Sequence, residues 1–370
     1  MKRVVIVGGG YAGTMVARAL DGVAEVRLIE PRDRFVHNVA AIRAIVEPAL
    51  LDRLIIPYDR LLKRGSVIQG VAAEIAEGRV MLADGTAVEG DIVIAATGST
   101  YARPFKPQWA SDTTAASGGT FAMDSRAAHE ALRAASTVAI VGGGAVGIEL
   151  AGEITAAFPG KPVTLLASSA NLLPGYSARL SATLAEQLKA QGVTLRLGAR
   201  VEGLETADRP FAGALTVAGG AIEADLIFPA IGARPLASPI SGASFAASGR
   251  VDVDPWLRPA GRRAVFALGD TAETGDFMTI VAITRQAPWL VKTLKAIVAG
   301  RAVETLSPYA PSPVPAILVP LGPKAGASLL PVTRSGLTVG RRTTATLKGR
   351  DLFIPRYRKE FGYGAAAMAD

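Results

Sequence analysis

Two stretches of this 370-residue chain have the residue types and spacing needed to hold a diphosphate. The first is Gly8-Gly9-Gly10-Tyr11-Ala12-Gly13, directly after the apolar run Arg3 to Val7 and directly before the helix-forming run Thr14 to Leu20. Between a strand and a helix, Gly8 permits the tight turn, Gly10 lets the backbone touch a pyrophosphate, and Gly13 lets the helix pack on the sheet. The helix N-terminus adds N–H groups and the positive end of its dipole. The next strand, Val26 to Ile29, ends at Glu30, where a carboxylate accepts ribose hydroxyl protons.

The second stretch repeats the pattern. Thr137 to Val141 leads into Gly142-Gly143-Gly144-Ala145-Val146-Gly147, then a helical run Ile148 to Ala157 and a strand Val163 to Leu166. Here the strand ends in Ala167-Ser168-Ser169 with no acid, so nothing repels a 2′-phosphate and the serines can hydrogen-bond it. NADPH is therefore expected to be accepted at least as readily as NADH, with a non-selective site as the alternative.

Other elements must position these loops. Asp91 to Ala96 reads as a buried strand ending in Thr97-Gly98, and Asp225 to Ala230 repeats it before Ile231-Gly232. Ala264 to Leu268 is a further strand ending in Gly269-Asp270, ahead of a helical stretch from Phe277 to Ala299. The fold class that follows is α/β with two Rossmann-like dinucleotide-binding domains.

Composition removes several function classes. There is no cysteine, which excludes disulfides, thiolate metal sites and any thiol redox mechanism. Half the residues are apolar and no run of them is long enough to span a bilayer. The formal charge of +8 is uneven: from Pro323 onward nine Lys or Arg face three acids, leaving 31 against 29 in the first 322 residues. A nucleic-acid surface spread over the whole chain is not expected.

With these motifs the chain resembles the two-dinucleotide-binding-domain flavoproteins of the pyridine nucleotide-disulfide reductase fold. Phe35 to Ala44 and Lys348 to Phe353 resemble the corresponding segments of the ferroptosis-suppressor-like, apoptosis-inducing-factor-like NAD(P)H:quinone oxidoreductases. The resemblance implies an FAD domain at residues 1–105 and 245–305, an NAD(P)H domain inserted at 106–244, and a small C-terminal α+β domain at 306–370. It further implies FAD contacts from Gly8, Gly10, Tyr11, Ala12, Gly13, Glu30, Arg43, Ala72, Thr97 and Gly98, with Asp270 on the flavin ribityl chain. NAD(P)H is expected at Gly142, Gly144, Gly147, Ser168 and Gly232. Two departures from the family stand out: Lys2 follows the initiator methionine where a lipidation glycine would stand, and Arg285 occupies about the place of a histidine in the animal proteins.

The absence of cysteine removes the family's thiol chemistry; what the resemblance then implies is hydride transfer from NAD(P)H to FAD followed by two-electron, ping-pong reduction of a quinone. By resemblance Glu149 lies beside the nicotinamide and flavin edge, the alternative being a first-turn acid that complements the helix dipole. His37 is the candidate proton donor to the quinone or else a loop-structuring residue, whereas His129 reads as a helix-surface histidine. Lys348 is placed to stabilise a quinol oxyanion or else is one solvated lysine of a basic segment. Phe353 lines a quinone slot or packs in the core. Two rival functions remain: reduction of a small iron-sulfur carrier, and a non-enzymatic flavin-nicotinamide redox sensor of apoptosis-inducing-factor type.

The end of the chain interleaves Leu352, Phe353, Ile354, Tyr357, Phe361 and Tyr363 with Arg350, Arg356, Arg358 and Lys359, with Pro355 preventing one long helix. That composition suits reversible contact with an anionic membrane, or else a solvated interface domain. The expected protein is cytoplasmic, peripheral on the membrane if that contact forms, and a monomer or homodimer.

Overall fold

The computed structural model describes residues 1–107 and 118–364; the intervening stretch, in the expected NAD(P)H segment, and the last six residues lie outside the description. Arg3–Val7 is the central strand of a five-stranded parallel sheet, between Ile92–Ala95 on one side and Glu25–Glu30 on the other. Val4, Val5 and Ile6 are completely buried, as a strand covered on both faces requires. Ser66–Gln69 and Val265–Ala267 form the two edges. A strand at 265 thus completes a sheet whose other members all precede residue 96, and the chain builds a second sheet in between.

That second sheet repeats the plan around Val138–Val141, with Val163–Ala167 and Val193–Leu197 to one side and Gly220–Pro229 to the other. The last strand begins five residues before the expected Asp225. Its first half forms an antiparallel hairpin with Phe211–Val217, a pairing absent from the first sheet. The helix expected from Phe277 starts at Ile280 and runs to Val298; Thr279 caps it by accepting a hydrogen bond from the Ala282 N–H at 3.2 Å.

The C-terminal segment is a three-stranded antiparallel sheet, Ile317–Pro320, Gly326–Leu330 and Leu337–Val339, followed by a π turn at Ala345–Gly349 and a helix at Ile354–Glu360. It touches both dinucleotide sheets' helices. Gln187 exchanges hydrogen bonds with the Gly326 backbone at 2.8 and 3.0 Å, and Gly152 packs so closely on Leu321 that a Cβ would lie 2.5 Å from its Cα. At the other end Glu360 pairs with Arg18 at 2.9 Å, and Phe361 packs on Phe35 with ring centroids 4.6 Å apart.

This placement corrects one expectation. Leu352, Ile354, Tyr357 and Phe361 are core residues, none more than 3% exposed, so they do not lie at headgroup depth. An amphipathic segment buries its apolar face wherever an apolar neighbour exists, and here Phe35, Tyr11 and Tyr58 are that neighbour. Pro355 sits in the first turn of its helix, where a missing N–H is harmless.

Candidate active site

The two glycine loops share one geometry. A Cβ on Gly8 would lie 2.3 Å from the Ala96 carbonyl oxygen of the adjacent parallel strand, and one on Gly142 would lie 2.1 Å from that of Ala230. Both residues also have positive φ, +108° and +131°, a region that only glycine enters freely. A Cβ on Gly13 or Gly147 would strike the carbonyl of Gly8 or Gly142 at 1.9 and 2.1 Å, so helix and strand meet at backbone contact. Gly10 and Gly144 have nothing within 4 Å of the Cβ position. Each loop is therefore closed on the protein side and open where a diphosphate approaches.

The first loop opens into a cavity of about 530 Å³ that Gly8, Gly10, Tyr11, Ala12, Glu30, Ala72, Thr97, Gly98 and Asp270 border together, as expected. Glu30 is 2% exposed and accepts the Gly9 N–H at 2.5 Å and the Arg32 guanidinium at 2.6 Å. Gly98 has φ +77° and donates its N–H to Thr271 Oγ1 at 2.7 Å, which holds the turn beside Asp270. Asp270 accepts from Ser99 Oγ at 2.5 Å and has Lys106 Nζ 3.7 Å away. Burial lowers the Lys106 pKa against the opposing pull of Asp270.

Glu149 and Lys348 border the same cavity, 199 positions apart in sequence, with Lys348 Nζ 2.7 Å from Glu149 Oε1. The helix begins at Ala145, three residues ahead of the expected start, so Glu149 lies in its second turn and is buried. The reading of it as a first-turn acid serving the dipole does not hold. Burial raises its carboxyl pKa, and Lys348 opposes that rise. Lys348 is itself buried and also donates to the Leu318 carbonyl at 3.1 Å, so it is not a solvated lysine. Val146, one turn before Glu149 on the same helix, borders the cavity as well, as do Ile280 and Ile283, the latter beside Gly269.

Three expected residues lie elsewhere. Arg43 does not border the cavity: it faces the helix Ala145–Ala157 and forms a buried two-pronged ion pair with Glu153 at 2.8 and 3.0 Å. Helical periodicity explains this, since the face of Asn38–Val46 that carries Arg43 is the face packed on that helix. His37 is fully buried, with Nε2 donating to the Leu352 carbonyl at 2.6 Å and Nδ1 accepting from the Tyr11 hydroxyl at 3.0 Å. Burial pushes its pKa down to about 4, so it is neutral and both nitrogens are committed. It structures the loop rather than donating a proton in the cavity. Phe353 has φ +62°, lies half-buried against the core cluster that contains Tyr357, and does not border the cavity.

The second loop contributes Ala145, Val146 and Glu149 to the cavity, while Ser168 and Gly232 stand exposed beyond it. The Gly232 N–H donates to the Tyr101 hydroxyl at 3.2 Å. His129 is half-buried, with Nδ1 donating to the Ile45 carbonyl at 2.8 Å. Sequence reasoning missed Arg32, Ser99, Lys106 and Gln286, which accepts the Gly269 N–H at 2.8 Å. Arg32 follows a strand end by two residues and Ser99 directly follows the Thr97-Gly98 turn, signals that the sequence carries; Lys106 and Gln286 had none.

A parallel sheet and a mixed sheet with a parallel core, each with a glycine loop after an inner strand, and one cavity bordered by both the first loop and the second-loop helix define a two-dinucleotide-binding-domain reductase. The chain belongs to the pyridine nucleotide-disulphide oxidoreductase family, whose model matches residues 2–287. It is 29% identical to apoptosis-inducing factor homolog B of Dictyostelium discoideum, over 96% of each chain. It is 30% identical to human ferroptosis suppressor protein 1, over 95% of this chain and 93% of that one. The fold matches the structure of a covalent putidaredoxin reductase–putidaredoxin complex at a TM-score of 0.66 and 22% identity, covering 89% of this chain and 81% of that one. The family implies FAD and NAD(P)H, and the residues present fit them: an open cradle at Gly10, an acid at each end of the first site, and a second open cradle at Gly144. The chain is thus an NAD(P)H-dependent flavin oxidoreductase that contains no cysteine.

Proposed function

We propose that the chain is an NAD(P)H:quinone oxidoreductase. The carrying observation is the buried Glu149–Lys348 pair on the wall of a cavity that the FAD-type glycine loop also borders, in a chain that lacks cysteine. Bound FAD supplies the two-electron relay between NAD(P)H and the acceptor. The protein's residues bind and orient. The Gly8-to-Gly13 loop and the helix behind it hold the diphosphate, Asp270 and Ser99 offer hydrogen bonds to the far end, and the second loop presents NAD(P)H.

A quinone that takes up two electrons also takes up two protons, and negative charge develops on its oxygen first. The Lys348 ammonium, fixed by Glu149 and Leu318, is a pre-aimed cation for that oxygen. Val146, Ile280 and Ile283 supply the apolar wall that a quinone ring requires. Steady-state oxidation of NAD(P)H by the purified holoenzyme tests the reading. Acceleration of at least several-fold by water-soluble quinones is expected; acceleration only by an iron-sulfur protein, or none with a long-lived charge-transfer band, overturns it.

A further inference from the structure

Three acid-free stretches of sequence meet at one face. No Asp or Glu occurs between Glu153 and Glu186, between Asp276 and Glu304, or between Glu304 and Asp351. The ring of Phe277 lies 5.0 Å from that of Tyr176, and the neighbouring Ser177 hydroxyl is 3.5 Å from that of Thr338 in the C-terminal sheet. This joins the start of the Ile280–Val298 helix, the start of the Ala178–Ala190 helix and the last C-terminal hairpin. Met278 belongs to both this face and the cavity wall.

The face is apolar at its tips and basic around them. Phe277 is 46% exposed and Val332, in the hairpin turn, 65%; Met278 and Leu337 are exposed as well. Arg179, Arg334, Arg341 and Arg342 are exposed, and none is ion-paired among the described residues. The final helix is the opposite case: its apolar side chains are buried, Arg356 pairs with Glu360, and Arg358 is bonded to the Arg53 carbonyl. Of that helix's basic residues only Lys359 is exposed without an ion pair among the described residues, so most of the free charge lies ahead of it.

We propose that this face docks on an anionic lipid bilayer, with Val332 and the Phe277–Met278 loop entering the headgroup layer and the four arginines over anionic headgroups. Loop-tip apolar side chains ringed by unpaired cations suit interfacial insertion, with membrane affinity set jointly by apolar area and charge. A second copy fits poorly, because a symmetric pairing sets the same arginines against each other. Docked this way, the wall formed by Met278 faces the layer in which a hydrophobic quinone dissolves, a consequence that rests on the quinone reading.

Flotation of the FAD-loaded full chain with vesicles of phosphatidylcholine, with and without phosphatidylglycerol, tests the docking. Binding to the anionic vesicles at low salt, and not to phosphatidylcholine alone, is expected. A Val332→Asp/Arg334→Glu variant is expected to bind at least ten-fold more weakly, since each cation taken from an anionic surface is worth roughly five-fold. Its turnover with a water-soluble quinone should be unchanged. An Arg126→Glu/Arg133→Glu variant on the helix Gly118–Ala134 removes more charge and should bind like the parent. No binding by the parent, equal loss in both variants, or capture of an acidic protein without vesicle binding overturns the proposal. Turnover of the soluble quinone is read separately, so failure of the docking and failure of the quinone reading are told apart.

Discussion

The two glycine loops are nearly superposable in what they forbid and different in what surrounds them. In both, the first glycine touches a neighbouring strand carbonyl, the last touches the first, and the middle one faces open space. The first loop is then roofed by segments from far along the chain: Asp270, Ile280 and Lys348 border its cavity, and its acid, Glu30, is buried. The second has no acid at its strand end, and Ser168 and Gly232 face solvent. The same backbone device thus serves two demands. A resident ligand needs enclosure, whereas a cosubstrate that leaves at each turnover needs an open side.

The sharpest way to break that symmetry is to put a Cβ on the glycine at the base of each helix. Gly13→Ala should yield protein that purifies without flavin absorbance. Gly147→Ala should stay yellow and lose roughly 100-fold or more in the rate at which NAD(P)H bleaches it, as expected for a shift of about 1 Å in the reacting groups. Similar flavin loss in both variants would show that the loops do not divide the work. Next in size, Lys348→Met strands a buried carboxylate. Turnover with a soluble quinone should fall roughly 100-fold, and urea unfolding should show a loss of about 3 kcal/mol. The double variant Lys348→Met/Glu149→Gln should recover much of that stability while turnover stays low.

His37 sharpens the enclosure side of the comparison. Its pKa of about 4 in the folded chain lies below the 6.5 of an unfolded histidine, so below pH 6.5 the unfolded state binds the extra proton. Its contribution is complete above pH 6.5 and is lost as pH falls toward 4, by about 3 kcal/mol over that window. Urea midpoints measured across it should show the slope, and His37→Asn should flatten it. The smallest effect belongs to the open loop: Ser168→Glu places a carboxylate where a 2′-phosphate would lie. The preference for NADPH over NADH should drop about ten-fold in kcat/KM, from like-charge repulsion in a solvated site; an unchanged ratio would show that the nucleotide's ribose lies elsewhere.

The legible parts were those whose cause is local. Glycines 8, 10, 13, 142, 144 and 147, and the strands that precede them, follow from contacts within a few residues or with the adjacent parallel strand. Asp270's place on the cavity wall was legible through the family resemblance, which sets a Gly-Asp strand end beside the flavin. Arg43 was misread, and His37 was left open between proton donor and loop-structuring residue, because their surroundings are long-range: Glu153 is 110 residues from Arg43, and the Leu352 carbonyl is 315 from His37. The aromatic tail was misread for a related reason, since interleaved aromatics and arginines look alike whether the apolar face meets lipid or meets Phe35 and Tyr58.

By itself, then, the amino-acid order determined the fold class, the two loops, the absence of thiol chemistry and the basic bias of the C-terminal part. These depend on spacing and residue type alone. Only the tertiary structure decided that Lys348 meets Glu149 across 199 residues, that Arg43 is held by Glu153, and that most of the free C-terminal cations lie ahead of the last helix rather than on it. The physical reason is that a buried charge takes its role from its partner, and the partner is chosen by how the C-terminal sheet packs across both halves, which no local pattern records.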